Sequence, residues 1–586
     1  MNRIFGWTGK ILKIDLTEGS FETVRPEKPV YEKYIGGKGL GGYFMLPHAH
    51  LHWQSPEIPL MFMTGPLVGT GAPTSGRISV ITKSPLTGTI GDASAGGKFG
   101  TEMKRAGWDG IIITGKAPSM SMVRIKESTV EILSASHLKG KRTDETMALL
   151  NDGASKAVIG PAAENGVLFS VIAFDSDSFA GRNGAGLVMA DKNLKCIEIT
   201  GTGEVAVYDT PELKKAREDI FRLAAASPVL KGELGISEYG TGTLYDLIRS
   251  RRMIPADNFR ATFFPGAEKL NAFHYKEKYT PSKTGCAGCH ILCKKRGSDK
   301  RAIPEYETMS HFTALIGNRD IELVMEANRI CNEAGMDTIS AASTIACYME
   351  IEGLSPDEID ILKLLQEIAS SSGEGKLLKE GSMKYAALKG HPEISMSVKG
   401  LELPAYDPRG AYGMALAYAT STRGGCHLRA YPVSHEILRK PVATDRFTFS
   451  GKARIVKIAE DMNAVVDSLT ACRFIFFAAS LEEYARALSA VTGVQYTGHD
   501  LFKAGERIYY TDRIFNFLNG FTSADDDLPL RFFSMEGSSG EGTDIPPLNR
   551  GEFLKTRERY YRVRGLTENG LPVKEKCMEL GIEWNL

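Results

Sequence analysis

The sequence has no surplus of either charge. Lys and Arg total 71 and Asp and Glu total 71 in 586 residues, a formal net charge of zero. A nucleic-acid binder normally carries a basic excess to neutralise phosphates, so that class is disfavoured, and no block of like charge stands out. Long hydrophobic runs are also missing: nothing approaches the about 18 uninterrupted apolar residues of a membrane-spanning helix, and the apolar runs are short, as at residues 110–113. Residues 1–10 contain no apolar stretch of signal-peptide length. The expectation is a cytoplasmic protein with no nucleic-acid and no membrane partner. Cysteine is sparse and odd in number, nine in all, which argues against a disulfide framework and for free thiols plus a metal site. The nucleotide P-loop pattern G-x-x-x-x-G-K-[ST] is absent.

The length suggests roughly three or four domains. The first two hundred residues are punctuated by Gly and Pro around short segments rich in Ile, Val and Thr, at 10–16, 78–82, 110–114, 122–125 and 196–200. These predict strands, with one helix near 143–151. After Val205 the periodicity becomes helical, beginning with Asp209, Thr210 and Pro211, a good helix start. Helices are predicted over 211–226, 307–315, 321–334, 339–352, 357–370 and 377–389. A Pro- and Gly-bearing loop follows at 401–413, then helices from Met414 and over 452–461, 481–492 and 501–518. The fold class is therefore α+β: a β-rich N-terminal domain over 1–206, then two mainly helical domains over 207–405 and 406–586.

Three cysteines, Cys286, Cys289 and Cys293, fall within eight residues as C-x2-C-x3-C. Such a run can wrap one face of an iron–sulfur cubane, with the fourth ligand coming from elsewhere. Cys286 to His290 also spells the haem-attachment pattern C-x-x-C-H, and Cys3His is a structural zinc set. Several glycine-rich loops, at 36–42, 65–77, 91–100, 181–186 and 424–425, lie close to Lys or Arg. Each can offer backbone N–H groups to an anion; spread over distant parts of the chain, they suggest a large phosphate-bearing cofactor gripped from many sides. Glu307 opens a helical run, and His427 follows Arg423, Gly424, Gly425 and Cys426. A Glu and a His that meet at one site can run proton transfer.

In this order the motifs resemble the tungsten-containing aldehyde:ferredoxin oxidoreductase family along nearly the whole chain. The resemblance is carried by residues 9–16, 64–67, 72–74, 83–88, 160–162, 181–186, the cysteine cluster, 304–307, 403–410, 423–427 and 505–507. It implies a β-rich N-terminal base under a bis-molybdopterin cofactor holding tungsten or molybdenum, with Mg2+ bridging the pterin phosphates and one [4Fe–4S] cluster. No side chain need ligate the catalytic metal, so Cys426 would be its neighbour. Cys472 matches the fourth cluster ligand beside Cys286, Cys289 and Cys293, which makes His290 a bystander. Glu307 and His427 match the acid–base pair.

Arg77 matches a residue bridging pterin and cluster, and Arg182, Asn183, Gly184, Arg409 and Arg429 match cofactor-binding positions. The two pterin motifs correspond to Asn332, Asp337 and Thr338, and to Asp467 and Ala471; Asn332, Thr470 and Ala471 depart from the family pattern. Ser94 stands with Gly96 where the family often has an Asn near the magnesium. Glu326 matches the Glu of an interchain iron site that some members build, but Leu362 stands where its His would be, so that site is not expected. The implied partners are an aldehyde or an activated acid, ferredoxin or a ferredoxin-like subunit, and a second copy of the chain. The implied activity is aldehyde oxidation. The alternatives are a low-potential reductase subunit acting on an aromatic acyl-thioester or other activated acid, and a cluster-bearing electron-transfer subunit without catalytic metal.

Overall fold

A computed structural model describes residues 4–175 and 177–584. The N-terminal region is built on two six-stranded mixed sheets, not one doubly wound sheet. In the first, the order is Ser20–Val24, Ile11–Asp15, Gly110–Thr114, Leu60–Met63, Ile78–Lys83, Ile90–Ala95. Only the pairing of Ile11–Asp15 with Gly110–Thr114 is parallel. The second runs Ser178–Ala180, Ile172–Phe174, Ser155–Ile159, Leu194–Thr200, Ser121–Lys126, Thr129–Ser134. The central strands Leu60–Met63, Ile78–Lys83 and Ser155–Ile159 are buried at every position. Leu60–Met63 is accordingly a continuous apolar run, whereas Ile78–Lys83 and Ser155–Ile159 carry buried Ser, Thr or Lys among their apolar residues.

Helices begin in earnest at Thr210–Ala226, where the Asp209 side chain accepts from the Glu212 amide and Pro lies in the first turn. Ile321–Ala334 and Leu481–Thr492 occupy the predicted spans. The predicted helix at 452–461 extends to Leu469, because residues 462–469 pack within the core on nearly all sides. The one predicted at 307–315 stops at His311 and resumes as a short 3-10 turn at Ala314–Ile316. Tyr306, Met309, Leu403, Ala405, Tyr406 and Tyr418 share one apolar core, so packing is continuous across residue 405. Among the described residues, no helix is long and apolar enough to cross a membrane.

The glycines at 36–42 and Gly65 require a correction. Residues 37–45 are helical, and their amides bond within the protein: Gly37 N–H to Thr64 O (2.9 Å), Gly39 N–H to Ser468 Oγ (3.0 Å) and Gly65 N–H to Thr470 Oγ1 (3.0 Å). A Cβ on Gly37 would run into the carbonyl oxygen of Asp467, and one on Gly65 into the backbone of Leu469. These glycines allow the end of the helix Lys452–Leu469 to press against the first sheet, which fixes Asp467 and Cys472 relative to the N-terminal region.

Candidate active site

Between the sheets and the helical part lies a cavity of about 400 Å³. It is lined by Cys286, Cys289, Cys293 and Cys472, by Glu307 and His427, and by Arg77, Ser94, Gly96, Arg182, Asn332, Asp337, Thr338, Arg429, Asp467 and Ala471. Asn183, Gly184 and Arg409 are not on its wall. Asn183 sits behind Arg423, its Oδ1 3.4 Å from Nη1. Gly184 caps the helix Ala185–Asp191 in a left-handed conformation (φ 72°), where a Cβ would meet Pro85 and the carbonyl of Leu168. Arg409 is fully buried and pairs with Asp407 (2.7 Å). It also donates to the carbonyls of Phe259, Met535 and Glu536, so every arm of its guanidinium is spent inside the protein. Its position in the motif pointed to the cofactor; its packing ties the 404–410 loop to residues 535–536.

The hairpin Ile78–Lys83/Ile90–Ala95 pairs Ser79 with Ser94 and so presents Arg77, Ser94 and Gly96 at its cavity end. Arg77 donates to Ser94 Oγ (2.9 Å) and Ser94 O (2.8 Å). Burial works against its charge, but Cys472, Cys286, Cys293 and Asp467 outweigh that and raise its pKa further. A Cβ at Gly96 would collide with Cys286 Sγ, so glycine is what lets the cysteine loop close on the sheet.

Burial, reinforced by the neighbouring cysteines and opposed by Arg77, pushes the Cys472 thiol up to about 11; burial and the same cluster of cysteines raise Cys293 strongly. Four mutually repelling thiolates need a polycationic centre to ionise, which suits an iron cluster. Among the described residues no three metal-binding side chains close on a single ion. His290 is not on the cavity wall; its ring lies edge-on to Phe221 at 4.5 Å.

The other side of the cavity is cationic. Arg182 donates to Glu402 O (2.5 Å) and Gly425 O (2.8 Å) and stands 3.8 Å from Asp337. Arg429 bridges Asp92 (2.6 Å) and Asp467 (3.2 Å), and Arg473 also pairs with Asp467. Arg182 Nη1, Arg429 Nε and Arg473 Nη1 are buried donors that make no hydrogen bond within the protein. Such unfilled donors on one wall fit an anionic, phosphate-bearing group. Arg423 and Arg473 were not among the predicted site residues, although Arg473 directly follows Cys472 and Arg423 opens the loop carrying His427. Cys426 lies behind that wall, accepting from Arg423 Nε (3.1 Å), Arg423 Nη2 (2.9 Å) and the Leu428 amide (3.3 Å). Burial raises its pKa, but Arg423, Arg429 and Arg182 prevail and lower it to about 6.

Glu307 Oε2 accepts from the Ala405 amide (2.9 Å), while Oε1 has no hydrogen-bond partner and stands 3.5 Å from His427 Nε2. Burial raises the Glu307 carboxyl to about 8 against the pull of the Ala405 amide and Arg182. Burial, with Arg182, Arg423 and Arg473, holds His427 well below the usual histidine range. His311 lies beneath, its ring nitrogens 2.7 Å from Glu307 O and 3.2 Å from Leu403 O, and burial lowers it to about 4.

Residues 11–201 match the N-terminal domain of aldehyde ferredoxin oxidoreductase, and residues 215–582 match its domains 2 and 3. The chain is 38% identical to the tungsten-containing aldehyde ferredoxin oxidoreductases of Pyrococcus furiosus and Thermococcus kodakarensis, over 99% of this chain and of each relative. It is 27% identical to an aliphatic sulfonate oxidoreductase, WOR-like subunit, of Pyrococcus furiosus, over 99% of this chain and 97% of that one. The active-site complex BamBC of benzoyl coenzyme A reductase with 1,5-dienoyl-CoA contains a chain of the same fold, with a TM-score of 0.83 at 23% identity, covering 99% of this chain and 98% of that one. The chain is an oxidoreductase and belongs to the aldehyde ferredoxin oxidoreductase family.

Proposed function

We propose that this protein oxidises aldehydes to carboxylic acids in the cytoplasm. The reading includes tungsten or molybdenum held by two molybdopterins, Mg2+ joining the pterin phosphates, and a [4Fe–4S] cluster on Cys286, Cys289, Cys293 and Cys472 that passes electrons to ferredoxin. The observation that carries it is the Glu307–His427 pair on the wall of the cavity that also holds the four thiols. Arg182, Arg429, Arg473, Asp337 and Asp467 would hold the pterins, and Arg77 would stand between pterin and cluster. When bound, the metal centre supplies the two-electron oxidation of the carbonyl carbon and the cluster supplies one-electron exit.

The chain's own residues then handle protons and orientation. Neutral His427 can carry its ring hydrogen on Nδ1, an atom without a protein partner. That N–H is a donor for the aldehyde oxygen as it gains charge. Ionised Glu307 takes the proton from the attacking water or aldehyde hydrate, and a pKa near 8 makes both forms accessible close to neutrality. The Ala405 amide keeps Oε2 fixed, so the proton resides on Oε1.

The test is elemental analysis of anaerobically purified protein combined with an aldehyde panel and a viologen acceptor. Tungsten or molybdenum with aldehyde-dependent dye reduction supports the proposal. Inactivity with aldehydes but acyl-thioester-dependent oxidation of a reduced dye replaces it with the low-potential reductase reading. Absence of both metals leaves a cluster-bearing electron-transfer subunit.

A further inference from the structure

One buried ionisable group beside the cavity takes no part in the chemistry above. Cys426 directly precedes His427 and is 1% exposed. Three N–H groups converge on its sulfur: Arg423 Nη2 at 2.9 Å, Arg423 Nε at 3.1 Å and the Leu428 amide at 3.3 Å. Among the described residues this sulfur donates to no acceptor, whereas the buried Cys347 thiol donates to Ser382 O at 3.8 Å. A sulfur that only accepts, and accepts twice from one guanidinium, has the surroundings of a thiolate.

The charges around it point the same way. Arg429 meets Asp92 and Asp467, Arg473 meets Asp467, and Arg182 stands 3.8 Å from Asp337. Arg423 is 3% exposed and, among the described residues, meets no carboxylate. Its Nη1 donates to Asp92 O and Asn183 Oδ1, and its other two nitrogens donate to Cys426. A buried guanidinium without an anion is costly, and the Cys426 sulfur is placed to supply that anion. On the far side of the sulfur, burial keeps the Tyr418 hydroxyl protonated, and its hydrogen goes to Tyr406 O at 3.0 Å. Negative charge on Cys426 adds to the burial that keeps the Glu307 carboxyl protonated. An unmatched Arg423 would pull that carboxyl toward its ionised form.

We propose that Cys426 is a thiolate paired with Arg423, and that this buried ion pair is a positioning element for catalysis: the thiolate cancels the Arg423 charge, which would otherwise draw the proton off Glu307. The catalytic half rests on the acid–base role of Glu307 in the aldehyde-oxidising reading.

Infrared spectroscopy of the anaerobic holoenzyme reads both groups without turnover. Burial raises Cys196, Cys331, Cys347 and Cys577 above the ordinary cysteine range and keeps them as thiols, and the four cysteines proposed for the cluster would carry iron in place of hydrogen. An S–H stretching band from Cys426 should therefore appear as pH falls from about 8 to about 5, and Cys426→Ser should lack it. The C=O stretch of protonated Glu307, identified by its loss in Glu307→Gln, should fade as pH rises through about 8 in the wild type. In Cys426→Ser it should fade about one pH unit lower, the scale of one uncompensated neighbouring charge. Cys426→Asp returns the negative charge and should restore the wild-type titration. With an aldehyde, the pH limb of kcat/KM should move in the same way in each variant.

A Cys426 S–H band already present at pH 8 overturns the proposal, and this wild-type measurement needs no variant that folds. A Glu307 band that titrates alike in wild type and Cys426→Ser overturns the positioning role. If both bands titrate as stated and no aldehyde is oxidised, the ion pair stands and the aldehyde reading alone fails.

Discussion

His427 Nε2 faces Glu307 Oε1 at 3.5 Å, and burial drives the two groups in opposite directions, the carboxyl up to about 8 and the imidazole well down. Both are therefore neutral at pH 7, the carboxyl holding its proton and the imidazole one ring hydrogen. A pair of titratable groups poised this way is suited to moving a proton close to neutrality. Glu307→Gln should lower kcat for an aldehyde at least about 100-fold, within the range for loss of a general acid–base group, while tungsten and iron content stay unchanged. Metal loss in that variant would show that Glu307 serves the structure instead.

The same carboxyl predicts a pH profile. Ionised Glu307 is the base, so kcat/KM should rise with pH toward about 8 and level off above it. Glu307→Gln should lack that limb. A wild-type profile flat between pH 6 and 9 would remove Glu307 from the rate-determining proton transfer.

Stability should respond with the opposite sign. In the unfolded chain Glu307 ionises near 4.5, and in the fold near 8. Between these values the folded state holds the extra proton, so the contribution of this group to stability is full below 4.5 and is lost as pH rises through about 8. Metal-free wild type should lose melting temperature from pH 5 to pH 8 more steeply than metal-free Glu307→Gln, by the equivalent of a few kcal/mol. Parallel curves for the two proteins would contradict the raised carboxyl.

Cys472→Ala should remove the [4Fe–4S] signal, or convert it to a three-iron one, in electron paramagnetic resonance of the reduced and oxidised protein. Pterin content should be largely preserved, because the buried Arg429–Asp467 contact does not depend on the thiol. An unaltered four-iron signal would mean that the fourth ligand lies elsewhere.

Arg409→Met should behave as a folding variant. It leaves Asp407 buried without its partner and three carbonyls without their donor, a change that costs about 3–5 kcal/mol for a broken buried pair. The melting temperature should fall by several degrees while the protein that remains folded keeps its cofactor content. Cofactor loss at an unchanged melting temperature would return Arg409 to the cofactor site.

Local pattern determined much of this protein. The strand at Gly110–Thr114, the helices Ile321–Ala334 and Leu481–Thr492, and the change from sheets to helices between residues 200 and 210 follow from periodicity and capping over a few turns of chain. The spacing of Cys286, Cys289 and Cys293 singled out three thiols that line one cavity with Cys472. Whole-chain resemblance supplied Cys472, Glu307 and His427, which no local pattern joins.

Tertiary structure alone decided the rest. Gly37 and Gly65 looked like anion cradles and proved to be clearances for the backbone at 467–469, because a glycine records that space is needed without recording what fills it. Arg409 carried the motif and spent its guanidinium on carbonyls more than a hundred residues away. Glu307 began a helix, which favours an ionised carboxylate, yet burial pushed its pKa the other way. Desolvation and long-range hydrogen bonding depend on what distant segments bring to a point in space, and local periodicity carries no record of that.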